Sequence, residues 1–131
     1  MSANARKDVV AQIKADNPTF TVHDYPATAP LNLANGKVWV SVYREAFEVN
    51  GNATSITHNL KALIITSKSS STKAEDELDA AVDKLMLSLE RLPDVYWQDA
   101  KRTIVAEKFD GYEITLTAVR QQIYKSQLVT N

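Results

Sequence analysis

Hydrophobic and polar positions along the chain follow two rhythms, one helical and one alternating, and their order predicts the elements. From residue 3 to residue 16, Val9, Val10 and Ile13 recur at helical spacing while Arg6, Lys7, Asp8, Gln12 and Lys14 take the other side, which predicts a short amphipathic helix. Asn17-Pro18 ends it, because the residue before a proline disfavours the helical region. A strand is expected over residues 19–22, followed by an extended connection pinned by Pro26 and Pro30. Val38, Val40 and Val42 alternate with Trp39, Ser41 and Tyr43, the pattern of a strand with one valine face and one aromatic face. Phe47 and Val49 carry the opposite parity, so a bulge is expected near Glu45-Ala46.

Asn50-Gly51-Asn52 predicts a chain reversal, since asparagine and glycine adopt positive φ at little cost. The returning strand places Ile56, His58, Leu60, Ala62 and Ile64 on one face, and Leu63 with Ile65 on the other indicates that its far end is buried on both sides. Lys68-Ser69-Ser70-Ser71 reads as a polar loop, and Thr72 with Glu75 as a capping box opening a second helix. Leu78, Val82, Leu85 and Leu89 form its apolar stripe, and Pro93 stops it. Residues 94–97 lead into a strand through residues 103–106. Asp110-Gly111 reads as a second hairpin turn, and Tyr112, Ile114, Leu116 and Ala118 line the long strand beyond. The predicted fold is α+β, a mainly antiparallel sheet with long hairpins covered by an N-terminal helix and a longer central helix, in a single domain over residues 1–131.

Composition narrows the functions this fold can serve. The chain has 131 residues, 15 basic against 16 acidic side chains, a net charge of -1 and 44% hydrophobic content, as expected for one globular domain. With no cysteine, disulfides, thiol catalysis and cysteine-based zinc sites are excluded. The charge balance argues against a general nucleic-acid binder. The opening residues lack the apolar stretch of an export signal, so synthesis in the cytosol is expected, and the Asn52-Ala53-Thr54 sequon is read as unmodified.

Catalytic chemistry has few candidates. His23 and His58 are the only histidines. His23 and Asp24 are adjacent, so on a strand they point to opposite faces, and His23 is read as an exposed loop residue. His58 is read as a half-buried sheet histidine with a hydrogen-bond partner. The three glycines are isolated, so no phosphate loop can be built from them. Glu75, Asp76, Glu77 and Asp79 fan around a helix start and are read as solvated. No catalytic, metal or cofactor residue is assigned. What stands out is strand length: residues 38–49 and 55–67 exceed the usual five or six, and their outer face carries Trp39, Tyr43, Asn59 and Lys61.

The succession of the Val9-Val10…Ile13 helix, the Val38-Trp39-Val40-Ser41-Val42 strand, and Leu60 to Ile65 running into a Ser/Lys loop resembles the tail terminator proteins of long-tailed bacteriophages. The acidic Glu75-Asp76-Glu77-Leu78-Asp79 helix and the Asp110-Gly111-Tyr112 strand extend the resemblance over nearly the whole chain. The resemblance implies a structural virion protein, not an enzyme, that forms a hexameric ring on the head-proximal end of the tail tube. Such a ring ends polymerisation and presents the surface to which the head attaches. It implies as partners the tail tube protein, a head-completion or connector protein and further copies of the chain, with DNA only passing through the bore. It also implies assembly in the host cytoplasm and residence at the head-tail junction.

Interface residues are read from this sequence itself: Trp39 and Tyr43 as subunit-contact anchors, Lys61 beside them, and Lys68, Ser69, Ser70 and Ser71 as a loop that orders on binding. Three other readings stay open. They are another head-tail joining or tube ring protein, a small enzyme or ligand-binding domain with a pocket near His58, Tyr112 and Asp110, and nucleic-acid binding through Arg44, Lys61 and Lys68.

Overall fold

The computed structural model describes residues 4–34, 36–51, 53–66 and 72–124. Its elements are α1 (Ala5–Asp16), β1 (Thr21–His23), β2 (Val38–Val49), β3 (Ser55–Thr66), α2 (Thr72–Glu90), β4 (Val95–Val105) and β5 (Phe109–Gln121). The five strands form one sheet in the order β1-β2-β3-β5-β4. Only the β1–β2 pair is parallel. The fold is thus α+β with a mostly antiparallel sheet, as the hydrophobic pattern predicts.

Both helices cover one face. Val9, Val10 and Ile13 of α1 and Ala81, Leu85 and Leu89 of α2 join Val40, Val42, Leu60, Ala62, Ile64, Ile114, Leu116 and Ala118 in one buried core. Asn4 caps α1, its Oδ1 accepting from the Lys7 amide at 3.1 Å. At the other end the Asn17 amide donates to the Ile13 carbonyl (2.9 Å), and its side-chain Nδ2 donates to Ser88 Oγ of α2 (3.2 Å). One residue therefore ends α1 and locks it to its neighbour.

The bulge falls where parity predicts, with the β2–β3 register shifting between Arg44 and Ala46. It returns Phe47 and Val49 to the helix-side face, opposite His58 and Ile56. The first reversal also falls at Asn50, which uses both ends of its side chain: Nδ2 donates to Ser55 Oγ (2.6 Å) and Oδ1 accepts from Thr57 Oγ1 (2.8 Å). Among the described residues of this turn, positive φ is found at Ala53 (58°) and not at Gly51.

Two expectations are corrected. Asp110-Gly111 is not a turn. The chain reverses at Ala106 and Glu107, with φ of 55° and 62°, and the Lys108 amide donates to the Val105 carbonyl (3.2 Å). Asp110 and Gly111 lie inside β5. Glycine is needed there for close approach, because a Cβ at 111 would sit 2.3 Å from the Ile64 carbonyl oxygen and 2.7 Å from Ile65 Cγ2. The second correction concerns Glu75, which does not serve a capping box: both its carboxylate oxygens accept from the Arg102 guanidinium on β4. A bidentate charged pair outcompetes a single bond to a backbone amide. Arg102 also lies 3.5 Å from Asp110, so this cluster ties the start of α2 to the sheet edge.

Gly111→Ala is expected to destabilise the fold by about 1–3 kcal/mol, the usual range for forcing atoms into packed space. Chemical denaturation of the two proteins measures it. A turn glycine in the conformation first expected would show its penalty through φ instead, and Gly111→Asn would then be tolerated better than Gly111→Ala.

Candidate functional site

The face of the sheet away from the helices divides into two halves. At one end Trp39, Ile65 and Phe109 form a second buried cluster, closed by Ala27, Ala29, Leu33, Leu63 and Val105. The connection over residues 24–34 lies across it and is held at two points. Ser41 Oγ donates to the Tyr25 carbonyl (2.5 Å) and accepts from the Ala27 amide (3.2 Å), while Lys108 Nζ donates to the Leu31 carbonyl. Ser41 is fully buried, so its hydroxyl has no competing solvent.

Trp39 is consequently only 3% exposed and serves the fold inside its own chain. Alternation places Trp39 on this face as expected, and the proline-pinned connection folds over it through Ala27, Ala29 and Leu33. His23 is likewise half-buried at the end of β1, its ring centroid 5.4 Å from Tyr25 and 5.8 Å from Trp39, where an exposed loop position was expected.

The other half is polar and open to solvent. Lys61 is its centre, donating to Thr115 Oγ1 (2.9 Å) and Glu113 Oε1 (3.3 Å), with Glu45 at 3.8 Å. Burial alone pulls the Lys61 pKa down, but Glu113, Glu45 and Asp99 outweigh it and the net shift is upward. Tyr43 stands opposite Lys61 in the β2–β3 register, and burial, reinforced by Glu113 and Glu45, pushes its phenol up. Tyr43 and Lys61 are thus brought together as predicted. Lys68, Ser69, Ser70 and Ser71 lie outside the described residues.

At the far end of the helix side, His58 is buried against Phe47, with ring centroids 5.8 Å apart, and its Nδ1 lies 3.4 Å from Arg44 Nη1. Burial lowers its pKa, and Arg44 and then Arg120 lower it further. The partner expected for this histidine is therefore an arginine. Tyr112 stands opposite Ile64 and His58 opposite Ala118, so the imagined pocket of His58 with Tyr112 and Asp110 does not form; they occupy opposite ends of the sheet.

Sequence reasoning missed Arg120. Its side chain is 5% exposed and approaches Asp8 of α1 and Asp94 before β4, each at 2.6 Å. The available signal was a charge at the same strand parity as Ile114, Leu116 and Ala118. Among the described residues, no group of three or more His, Asp or Glu side chains could hold a metal ion, and no helix is long and apolar enough to cross a membrane.

No family model and no curated protein matches this sequence. Among solved structures, the chain is similar to one described as a cryo-EM structure of an extracellular contractile injection system, PVC sheath/tube terminator in extended state. The alignment covers 93% of this chain and 58% of that one, at 8% identity and a TM-score of 0.49. The chain thus spans a little over half the length of that protein.

Two outcomes follow from this geometry. Trp39→Ala is expected to cost about 3–5 kcal/mol of folding stability, as for other large buried aromatics, whereas Tyr43→Ala leaves the thermal midpoint much closer to wild type. Scanning calorimetry of both variants checks this. Tyr43 and Lys61 both have raised folded-state pKa values, so the stability they contribute is fully present below their ordinary values of 10.0 and 10.5 and is lost as pH rises through the folded-state values. Denaturation midpoints should fall as pH rises past 10.0, and fall less in a Tyr43→Phe/Lys61→Met variant.

Proposed function

We propose that this chain is a structural ring protein of a phage tail, capping the head-proximal end of the tail tube, ending its polymerisation and offering the surface to which the head attaches. The observation that carries the reading is a sheet with two open edges on opposite sides. Beyond Ser41, β2 has no outer neighbour among the described residues, and β4 has none over its whole length. Edges left open in this way are templates for pairing unless they are blocked. Here they carry exposed apolar groups: Phe47 and Val49 on β2, and Tyr96, Trp97 and Ile104 on β4.

Two different edges on one subunit suit a head-to-tail contact, which closes into a ring when the rotation closes. The element order that resembles tail terminators supplies the role of that ring, and six is the subunit number the resemblance implies. Tyr43 and Lys61 flank the turn-proximal half of β2 and belong to the same contact surface. The Lys68–Ser71 segment belongs to the surface that meets the tube or the head partner. DNA passes through the bore without specific recognition, no reaction is catalysed, and the protein moves from the host cytoplasm to the head-tail junction of the virion.

Mass photometry over a concentration series, with negative-stain microscopy with and without isolated tail tubes, tests the reading. Closed rings, or density on one tube end, are expected, and both should be lost in Tyr96→Lys/Ile104→Lys while circular dichroism stays unchanged. A protein that stays monomeric and ignores tubes overturns the proposal. Unlimited filaments of the pure protein would assign it to the tube instead.

A further inference from the structure

A cavity of about 200 Å³ opens between the start of α1 and the turn-proximal half of the β2–β3 hairpin. Its walls include Arg6, Arg44, His58, Gln121 and Tyr124 beside the apolar Ile56, and none of its lining residues is acidic. Asp8 of α1 and Asp94 are both engaged by Arg120 at 2.6 Å. Arg6 and Arg44 form no ion pair among the described residues, and Arg6 Nε is buried without a hydrogen-bond acceptor.

Arg44 is held in place nonetheless, its guanidinium carbon 4.1 Å from the centre of the Phe47 ring, which itself stacks on His58. A guanidinium can only donate, so the 3.4 Å contact of Arg44 Nη1 with His58 Nδ1 favours the tautomer that keeps the imidazole proton on Nε2. The cavity thus gathers two guanidinium groups and an imidazole, with no carboxylate among its lining residues. Two guanidinium groups and an imidazole N–H with this polarity match the oxygens of a small anion, which accepts at several points without carrying a donor of its own.

We propose that this cavity binds a compact oxyanion, of the carboxylate or phosphate class, between the Arg6 and Arg44 guanidinium groups and the His58 imidazole. The oxyanion comes either from solution or from the exposed acidic stripe of α2 on a second copy, where Asp76, Asp79 and Asp83 have no ion pair among the described residues. The site is independent of the ring reading: it requires only these three side chains.

The test is a titration of the full chain with inorganic phosphate, followed through the His58 ring signals by carbon-proton NMR, against chloride at matched ionic strength and fixed pH. A saturable shift at His58 and none at His23 is expected, with the midpoint at least tenfold weaker in Arg44→Gln and in Arg6→Gln. Arg44→Lys, which keeps charge but not the planar fork, should fall between and guards against a variant that misfolds. Saturation in the wild type identifies an anion from solution. Saturation appearing only once Asp76, Asp79 and Asp83 are changed to asparagine identifies the second copy as the source. No saturation in either protein, or saturation unchanged in both glutamine variants, overturns the proposal.

Discussion

A single buried guanidinium organises one end of this molecule. Arg120 sits on the core face of β5, where Ile114, Leu116 and Ala118 precede it, and a charge in that place is tolerable only if it is matched. Asp8 and Asp94 match it from two directions, α1 and the approach to β4. Removing one member of such a buried set typically costs about 3–5 kcal/mol, because the remaining charges are left unpaired. The orientation of α1 over the sheet and the entry of β4 are therefore coupled through one side chain. Asp8 and Asp94 are thereby taken up by Arg120, and no acid lines the cavity that Arg6 and Arg44 share.

The sheet itself is held by different means at its two ends. Near Gly111 the backbones of β3 and β5 approach so closely that no side chain fits, and Trp39, Ile65 and Phe109 fill the space beneath the 24–34 connection. That end is closed on both faces. At the hairpin end residues 44–49 of β2 are exposed, while Ile56 and His58 on the neighbouring β3 stay buried. The outer half of β2 therefore buries little of its own surface, and it is β3 that carries the core to this end.

The helix stripes, the valine face, the bulge at Arg44/Ala46 and the Asn50 reversal were all legible, because each depends on residues close in sequence and on a period that one element imposes. Asp110-Gly111 misled for an instructive reason: the pair has the chemistry of a turn, but Gly111 is required by a strand more than forty residues away, and the actual turn uses Ala106 and Glu107, which carry no turn signature. Trp39 misled similarly. Alternation assigns a side chain to a face, but whether a loop then covers that face depends on long-range anchors, here Ser41 and Lys108. Arg120 was invisible because its justification is divided between Asp8 and Asp94, neither of which is near it in sequence.

Net charge hides the same kind of long-range arrangement. Fifteen basic and sixteen acidic groups almost cancel, which argues against a uniformly basic surface, yet cancellation in a sum says nothing about separation in space. In the folded chain, Asp76, Asp79 and Asp83 lie exposed along α2, while Arg6 and Arg44 gather around His58 at the hairpin end. At an ionic strength near physiological, exposed charges interact over roughly 8 Å, so regions of opposite sign that lie further apart than this act as separate surfaces rather than neutralising each other. A chain that is nearly neutral overall thus carries both a donor-rich recess and an acidic ridge, and a copy of the same chain presents the complement of each.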